Sequence, residues 1–219
     1  MNAPLKSLPP SIKGLIEESF WTSVQQSARV ANYKKGSYLV RAGEVDNVMR
    51  IALSGWVSMQ RDSTTLGLVT GPLMTATKLV PNQTSTVDLI AVTPVTAVLF
   101  DSDTLMKALL ASPKGALGLL SLVCNQLDSA LSFSARKSSE ALDIRLAALL
   151  WSLSEPDGSG RRKIPEGLPQ SALAGALGAS REEVNRKKAL LVSAGYIAKE
   201  GRTEFMNSLT PLLLSPHEY

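Results

Sequence analysis

The chain of 219 residues is 44% hydrophobic and carries 23 Lys and Arg against 19 Asp and Glu, a formal net charge of +4. That is enough apolar material for a packed core in one large or two small domains, and it excludes global disorder; the mild positive balance permits a polyanionic partner without demanding one. A single cysteine, Cys124, and a single histidine, His217, exclude an intrachain disulfide framework, an iron–sulfur cluster held by one chain's thiolates, and a histidine-based zinc or catalytic centre.

The opening "MNAPLKSLPPS" is broken by prolines and has no apolar signal-peptide core, and no run approaches the roughly 18 apolar residues of a membrane span. A soluble, cytoplasmic protein with no membrane partner is expected. A short helix is predicted over 10–20, with Ile12, Leu15 and Ile16 on one face. From about Tyr33 to Phe100 the period shortens to near two. "SYLV", "VMRIAL", "WVSM", "DLIAV" and "TAVLF" read as strands punctuated by Gly36, Gly43, Gly55, Gly67 and Gly71, the pattern of an antiparallel sandwich or barrel.

From about Asp103 to Ser154 the pattern is helical. Leu117, Leu120, Cys124, Leu127, Leu131 and Ser134 fall at alternating spacings of three and four, a heptad seam of over two heptads. Two readings stand: the seam packs on its own β domain, or it pairs with its copy in a second chain as a parallel coiled coil. Cys124 on that seam is expected to be a buried structural cysteine; in a two-fold dimer it would face its own copy, close enough for a disulfide if the Cα atoms approach within about 7 Å. A second helix, "LDIRLAALLWSLSE", presents Leu142, Leu146, Leu149, Leu150 and Leu153, ends at the breaker "EPDGSG", and gives way to "RRKIPEG", read as a short basic linker.

From Leu168 the pattern is helix, turn, helix. "PQSALAGAL" is the first helix, with Pro169 suited to its first turn, and Gly178 breaks it. Ser180 and Glu183 form an S-x-x-E capping box that starts the second helix; Val184, Leu190 and Leu191 are its inward face, and Gly195 suits its C-terminal cap. "YIAKEGRTEFM" then alternates about Glu200-Gly201 as a hairpin. Helix, glycine turn, helix and hairpin make a winged helix-turn-helix pattern. Its outward face is read as Arg181, Glu182, Asn185, Arg186 and Lys188; Arg takes guanine bidentately, Glu accepts from cytosine and Asn takes adenine. From Leu168 to Arg202 the basic residues are Arg181, Arg186, Lys187, Lys188, Lys199 and Arg202, against Glu182, Glu183 and Glu200. The segment is therefore positive, as a phosphate-facing surface requires; the bland alternative is an ordinary solvated face.

With these segments in order, the chain resembles the Crp/Fnr superfamily of bacterial transcription regulators. "LPQSALAGALGASREEVNRKKALLVSAGYI" resembles that family's "sELA..lG.SRE.V.R.L..L...G.I". "YKKGSYLVRAGEVDNVMRIALSGWVSM" is similar to the opening of its cyclic-nucleotide-binding β-roll, and "DIRLAALLWSLSE" to the segment after its dimer helix. The resemblance implies an α+β chain: an antiparallel β-roll sensor-like domain over 1–111, a dimerisation helix over 112–140 and a winged helix-turn-helix DNA-binding domain over 141–219. It implies a homodimer whose recognition helices enter successive major grooves, about 34 Å apart, of a near-palindromic operator, and RNA polymerase as a further partner. It assigns base contacts to Arg181, Glu182 and Arg186, leaves Asn185 to tune the site, and places Ser180 as a cap near a phosphate. Gln170, Ser171, Lys187, Lys188, Lys199 and Arg202 are the remaining phosphate candidates.

Two departures from the family pattern matter. Pro169 stands where members usually have Ser or Thr at the start of the first helix, which removes a phosphate contact and should lower non-specific affinity rather than sequence choice. The nucleotide-binding members also carry a cassette resembling "GDFIGE…RSA", whose Glu takes the ribose hydroxyl and whose Arg takes the cyclic phosphate. Aligned on Gly71, "GPLMTATKLVPNQTSTVDLIAV" has Ala76 at the Glu position and Thr84, Ser85 and Thr86 around the Arg position, and no arginine lies between Arg61 and Arg136. A buried phosphate without a charged partner is very costly, so this degenerate pocket is not expected to bind cyclic AMP. The cluster of Thr75, Thr77, Thr84, Ser85 and Thr86 reads as a turn and strand edge satisfied locally, with a pocket for a neutral ligand as the alternative.

No cofactor and no metal are expected. Neither is an enzyme, since the sequence shows no phosphate loop, no metal-ligand cluster and no histidine base. The leading reading is a sequence-specific DNA-binding regulator. The alternatives are a regulator gated by an unidentified non-nucleotide ligand, with its hinge between Ser134 and Asp143, and a protein-interaction module that has lost DNA binding.

Overall fold

The computed structural model describes residues 18–45, 47–70, 73–75 and 83–207, the side chains of residues 70, 133 and 136–139 excepted. Contacts divide the chain into two compact units, Met1–Ser132 and Phe133–Tyr219.

In the first unit, helix α1 (Glu18–Val24) precedes strands β1 (Arg29–Tyr33), β2 (Tyr38–Val40), β3 (Val48–Ser54), β4 (Trp56–Arg61), β5 (Thr64–Thr70), β6 (Leu73–Met74), β7 (Asp88–Ala91) and β8 (Val95–Asp101), then α2 (Ser102–Ala111) and the long α3 (Pro113–Ser139). The strands form two antiparallel sheets in the orders β1-β8-β3-β6 and β2-β7-β4-β5, so the chain passes repeatedly from one sheet to the other. The five expected strands are present. Three more escape the sequence pattern: β1 because "RVANY" is polar and largely exposed, β5 because Gly67 interrupts "TTLGLVT", which blunts the alternation that marks a strand, and β6 because it is only two residues long. The predicted helix over 10–20 lies outside the described residues as far as residue 17; α1 runs on to Val24.

One glycine makes the switch between sheets possible. Gly55 sits between β3 and β4 at φ +86°, and a Cβ there would lie 2.2 Å from the Pro94 carbonyl oxygen, so both the backbone conformation and the close approach require glycine. Between the sheets and the helices lies an apolar cluster of Phe20, Trp21, Val24, Met49, Ile51, Met74, Val98, Phe100, Leu105, Ala108 and Leu119. Gly115 lets α3 reach it: a Cβ there would meet the Phe20 ring at 2.5 Å. Asp101 caps α2, its carboxylate accepting from the Thr104 backbone N–H at 2.9 Å and from the Thr104 hydroxyl at 2.8 Å. Those bonds hold its pKa below the ordinary 3.8.

Helix α3 is apolar on two faces. Leu119 is buried, and Leu122 and Val123 pack half-buried on the same cluster. The face away from it carries Leu117, Leu120, Leu127 and Leu131, which are 56–63% exposed in the single chain, together with exposed Cys124 and Ser134. The seam therefore does not pack on its own β unit, and in the single chain Cys124 lies on this uncovered face rather than in the core of that unit. Between the two faces, Gln126 clasps β6. Its Oε1 accepts the Met74 backbone N–H at 2.7 Å and its Nε2 donates to the Met74 carbonyl at 3.1 Å, so one side-chain amide does for Met74 what a neighbouring strand would do.

The second unit comprises α4 (Leu142–Leu153), β9 (Glu155–Pro156), β10 (Arg162–Ile164), α5 (Gln170–Leu177), α6 (Arg181–Ser193), β11 (Ile197–Glu200) and β12 (Thr203–Met206). Its four strands form one antiparallel sheet, β11-β12-β10-β9. The expected basic linker is thus corrected: Arg162–Ile164 is an interior strand with Ile164 buried. Three helices pack into a core that includes Leu146, Leu150, Leu153, Leu173, Leu177, Val184, Leu191, Ile197 and Met206, each at most 4% exposed.

Candidate nucleic-acid interface

The turn between α5 and α6 is built by two local devices. Gly178 ends α5 in the left-handed conformation, φ +63° and ψ +38°, its N–H bonding back to Ala174 and Gly175. Ser180 then starts α6: its hydroxyl accepts from the Glu183 N–H at 3.2 Å while the Glu183 carboxylate accepts from the Ser180 N–H at 2.9 Å. The expected capping box is complete, and the Ser180 hydrogen bonds hold the Glu183 carboxyl below its ordinary 4.5. Arg145 of α4, which the sequence pattern does not single out, donates to the Leu177 carbonyl at 2.9 Å and so ties α4 to the end of α5. Pro169 is the N-cap of α5 and offers no side-chain cap.

The cap fixes which side of α6 faces outward. Val184 and Leu191 are buried, and one helical face runs from the first through residues 187 and 188 to the second. Arg181, Glu182, Asn185 and Arg186 are exposed, and among the described residues none of these four side chains is engaged in a hydrogen bond or ion pair. Two placements differ from expectation. Leu190, expected inward, is 52% exposed, because it lies beside Arg186, one position off the buried stripe. Lys188, expected outward, is turned in: its Nζ pairs with Glu204 Oε2 of β12 at 2.5 Å, with side-chain exposures of only 15% and 21%. Lys187 likewise pairs with Asp143 of α4 at 3.4 Å.

The other cations sort by the same test. Lys199 stands 3.5 Å from Glu204 but is 57% exposed. Arg161 is held by Asp157 and Glu200 and stacks over Phe205 at 4.2 Å. Arg162 donates to the Ser154 carbonyl and hydroxyl and lies over Trp151. Arg202 occupies the two-residue tip of the β11–β12 hairpin, exposed and, among the described residues, in no hydrogen bond or ion pair. Ser171 is exposed, whereas Gln170 lines a cavity of about 400 Å³ with Leu150, Ile164, Leu173, Lys188 and Arg202. The Gln170 Oε1 is buried there, so that side chain is directed toward the domain rather than outward.

In the first unit, Ala76, Thr77 and Lys78 lie outside the described residues. Thr75 is buried, its hydroxyl accepting from the Arg50 N–H at 2.8 Å. Ser85 is buried and closes a local turn with Val87 at 2.7 Å; Thr84 and Thr86 are exposed. Arg50 in β3 donates to the Tyr33 hydroxyl and to the Val48 carbonyl. Among the described residues no helix is long and apolar enough to cross a membrane, and no three metal-ligating side chains come together.

Residues 144–207 match the family model of the Crp-like helix-turn-helix domain. No curated protein is matched in sequence. Among solved structures, the chain is similar to FixK2 from Bradyrhizobium japonicum, at 16% identity over 85% of this chain and 96% of that one, with a TM-score of 0.73. It is also similar to the c-di-GMP responsive global regulator CLP of Xanthomonas campestris, at 17% identity over 88% and 100% with a TM-score of 0.65, and to a transcriptional regulator of the CRP/FNR family from Thermus thermophilus, at 22% over 84% and 96% with a TM-score of 0.61. At such identities the likeness is one of fold, and it extends through both units. Residues 144–207 are therefore matched to the Crp-like helix-turn-helix domain, and the chain as a whole shares its fold with these solved structures.

Proposed function

We propose that this protein is a sequence-specific DNA-binding transcription regulator, not an enzyme, that acts as a homodimer with RNA polymerase as a further partner. One observation carries the reading: a capped helix whose outward face presents Arg181, Glu182, Asn185 and Arg186, all exposed and none in a hydrogen bond or ion pair among the described residues. A solvated face on an ordinary helix tends to pair its charges with one another; these four are left for an external set of donors and acceptors. Arg181 and Arg186 read guanine, Glu182 accepts from cytosine, and Asn185 tunes the neighbouring step. Arg202 at the hairpin tip supplies a backbone contact. Ser180 serves as the cap, and Lys199 exchanges a weak surface pair for phosphate.

The dimer reading rests on the four exposed leucines of α3 and on Cys124 in the same stripe. With it goes a three-part organisation: a sensor-like domain over 1–111, a dimerisation helix over 112–140, within which the boundary between the two compact units falls, and a DNA-binding domain over 141–219. On this reading cyclic AMP does not bind in the family's usual way: no arginine is available between Arg61 and Arg136, and Ser85 and Thr75 have their hydroxyls committed to backbone.

The test is selection of duplexes from a randomised library by the full-length protein, followed by binding of Arg181→Ala and Arg186→Ala to single-base variants of the selected site. Each substitution should cost about 1–3 kcal/mol and relax choice at one base step. Equal loss on every sequence would reduce both residues to phosphate contacts.

A further inference from the structure

Lys188 occupies an odd place. It follows Val184 by four residues and precedes Leu191 by three, so helical spacing puts it on the buried stripe, and the family pattern quoted above has leucine there. Its Nζ nonetheless finds a partner there, the carboxylate of Glu204 in β12. Lys188 and Glu204 both line an open-sided cleft of about 400 Å³ between the start of α5, β10 and the hairpin tip. Helix α6 packs against β11, and its buried residues are Val184 and Leu191. On the stripe between them stands Lys188, which reaches β12 through its ion pair with Glu204.

Resting on the DNA-binding reading, we infer that Lys188 and Glu204 are positioning residues which set the hairpin at a fixed distance from the reading helix, and that Lys188 is not a phosphate contact. The consequence is geometric. Arg202 lies two residues before Glu204 at the hairpin tip, and Arg181 and Arg186 lie seven and two residues before Lys188 on α6. The pair therefore fixes the span between the side chains that read bases and the one that grips the backbone. Only a sequence-selective complex needs that span held; a cation resting on phosphate needs no such span.

Three variants of the full-length protein separate the possibilities: Lys188→Met, Glu204→Gln and the exchange Lys188→Glu with Glu204→Lys. Lys188→Met places an unbranched apolar side chain where the pattern has leucine, and a melting curve monitors the fold of each variant. Binding to the selected duplex and to an unrelated duplex is measured across a salt series. The expected result is a fall of about tenfold in the ratio of specific to non-specific affinity for Lys188→Met and for Glu204→Gln, within the coupling range of contacting residues. The salt slope should stay unchanged, and the exchanged pair should restore the ratio.

If Lys188→Met lowers both affinities in parallel and flattens the salt slope, Lys188 touches phosphate and the inference is overturned. It is equally overturned if the ratio does not move in either single variant, or if the exchanged pair folds and fails to restore it. Should Lys188→Met fail to fold, Glu204→Gln and the exchange decide by the same criteria. A wild-type protein that selects no duplex overturns the DNA-binding reading itself, and this inference with it.

Discussion

Salt dependence is the sharpest quantitative consequence of the way the cations are arranged. From Leu168 to Arg202 the sequence offers six basic residues per subunit. If all twelve in a dimer faced phosphate, log Kobs would fall with log[salt] at a slope of about −11, since each neutralised phosphate contributes about −0.9. The structure removes Lys187 and Lys188 from that count, paired at 27% and 15% side-chain exposure. It retains Arg181, Arg186 and Arg202, and also Lys199, whose 57% exposure makes its carboxylate pair easily exchanged. Eight cations per dimer give a slope no steeper than about −7, a loss of about four decades in affinity between 50 and 200 mM salt rather than more than six. Fluorescence anisotropy of a labelled duplex titrated across that range measures the slope directly. Arg202→Ala should reduce its magnitude by about 1.8, one phosphate per subunit, and weaken all sequences alike. A wild-type slope near −11, or an unchanged slope in Arg202→Ala, would refute the sorting of cations by internal pairing.

The uncovered stripe on α3 predicts that Leu127→Glu shifts the protein toward monomer by at least about 100-fold in dissociation constant, because each leucine returned to water forfeits on the order of 1–2 kcal/mol and two carboxylates are set face to face; sedimentation velocity reads this, and an unaltered dimer would place the interface elsewhere. If the stripe is a parallel seam in register, mild oxidation should yield a covalent dimer on a non-reducing gel that is absent in Cys124→Ser. Gln126→Leu, which leaves both backbone groups of buried Met74 without their partner, should destabilise the first unit by about 2–4 kcal/mol in denaturant melts. The Ser180–Glu183 box should make the second unit sensitive to acid. With the Glu183 pKa depressed on folding below its ordinary 4.5, the carboxylate's stabilisation is fully present above that unfolded value and is lost as pH falls through the lower folded value. Glu183→Gln should flatten stability against pH in that window, and Ser180→Ala should cost about 1 kcal/mol at neutral pH.

What can be read from sequence follows from how local each cause is. The helix-turn-helix is legible because its determinants lie within six residues of one another: Gly178 for the left-handed cap, Ser180 and Glu183 for the box. The strands with clear alternation are legible for the same reason, whereas β1, polar and exposed, and β5, broken by Gly67, take their definition from partners far along the chain. The fate of the cations is the hardest to see. Counting charges treats Lys187 and Lys188 as surface, although their spacing from Val184 and Leu191 already places them on the buried stripe; the acids that receive them, Asp143 and Glu204, stand 44 and 16 residues away. Leu190 departs in the opposite sense, because apolar character alone does not make a residue inward where the period does not support it.

The clasp of Gln126 on Met74 has a bearing on how the chain is made. Strand β6 is two residues long and stands at the edge of its sheet, and the group that completes its backbone pairing is 52 residues further along. During synthesis the sheet edge must remain open until α3 has left the ribosome as far as Gln126, which gives β6 a period in which it offers unpaired N–H and C=O groups to any neighbour. Closure of that edge and docking of α3 are then one event. A nascent chain stalled with Gln126 still inside the ribosome should be markedly more prone to aggregate and to proteolysis than one stalled after Gln126 has emerged.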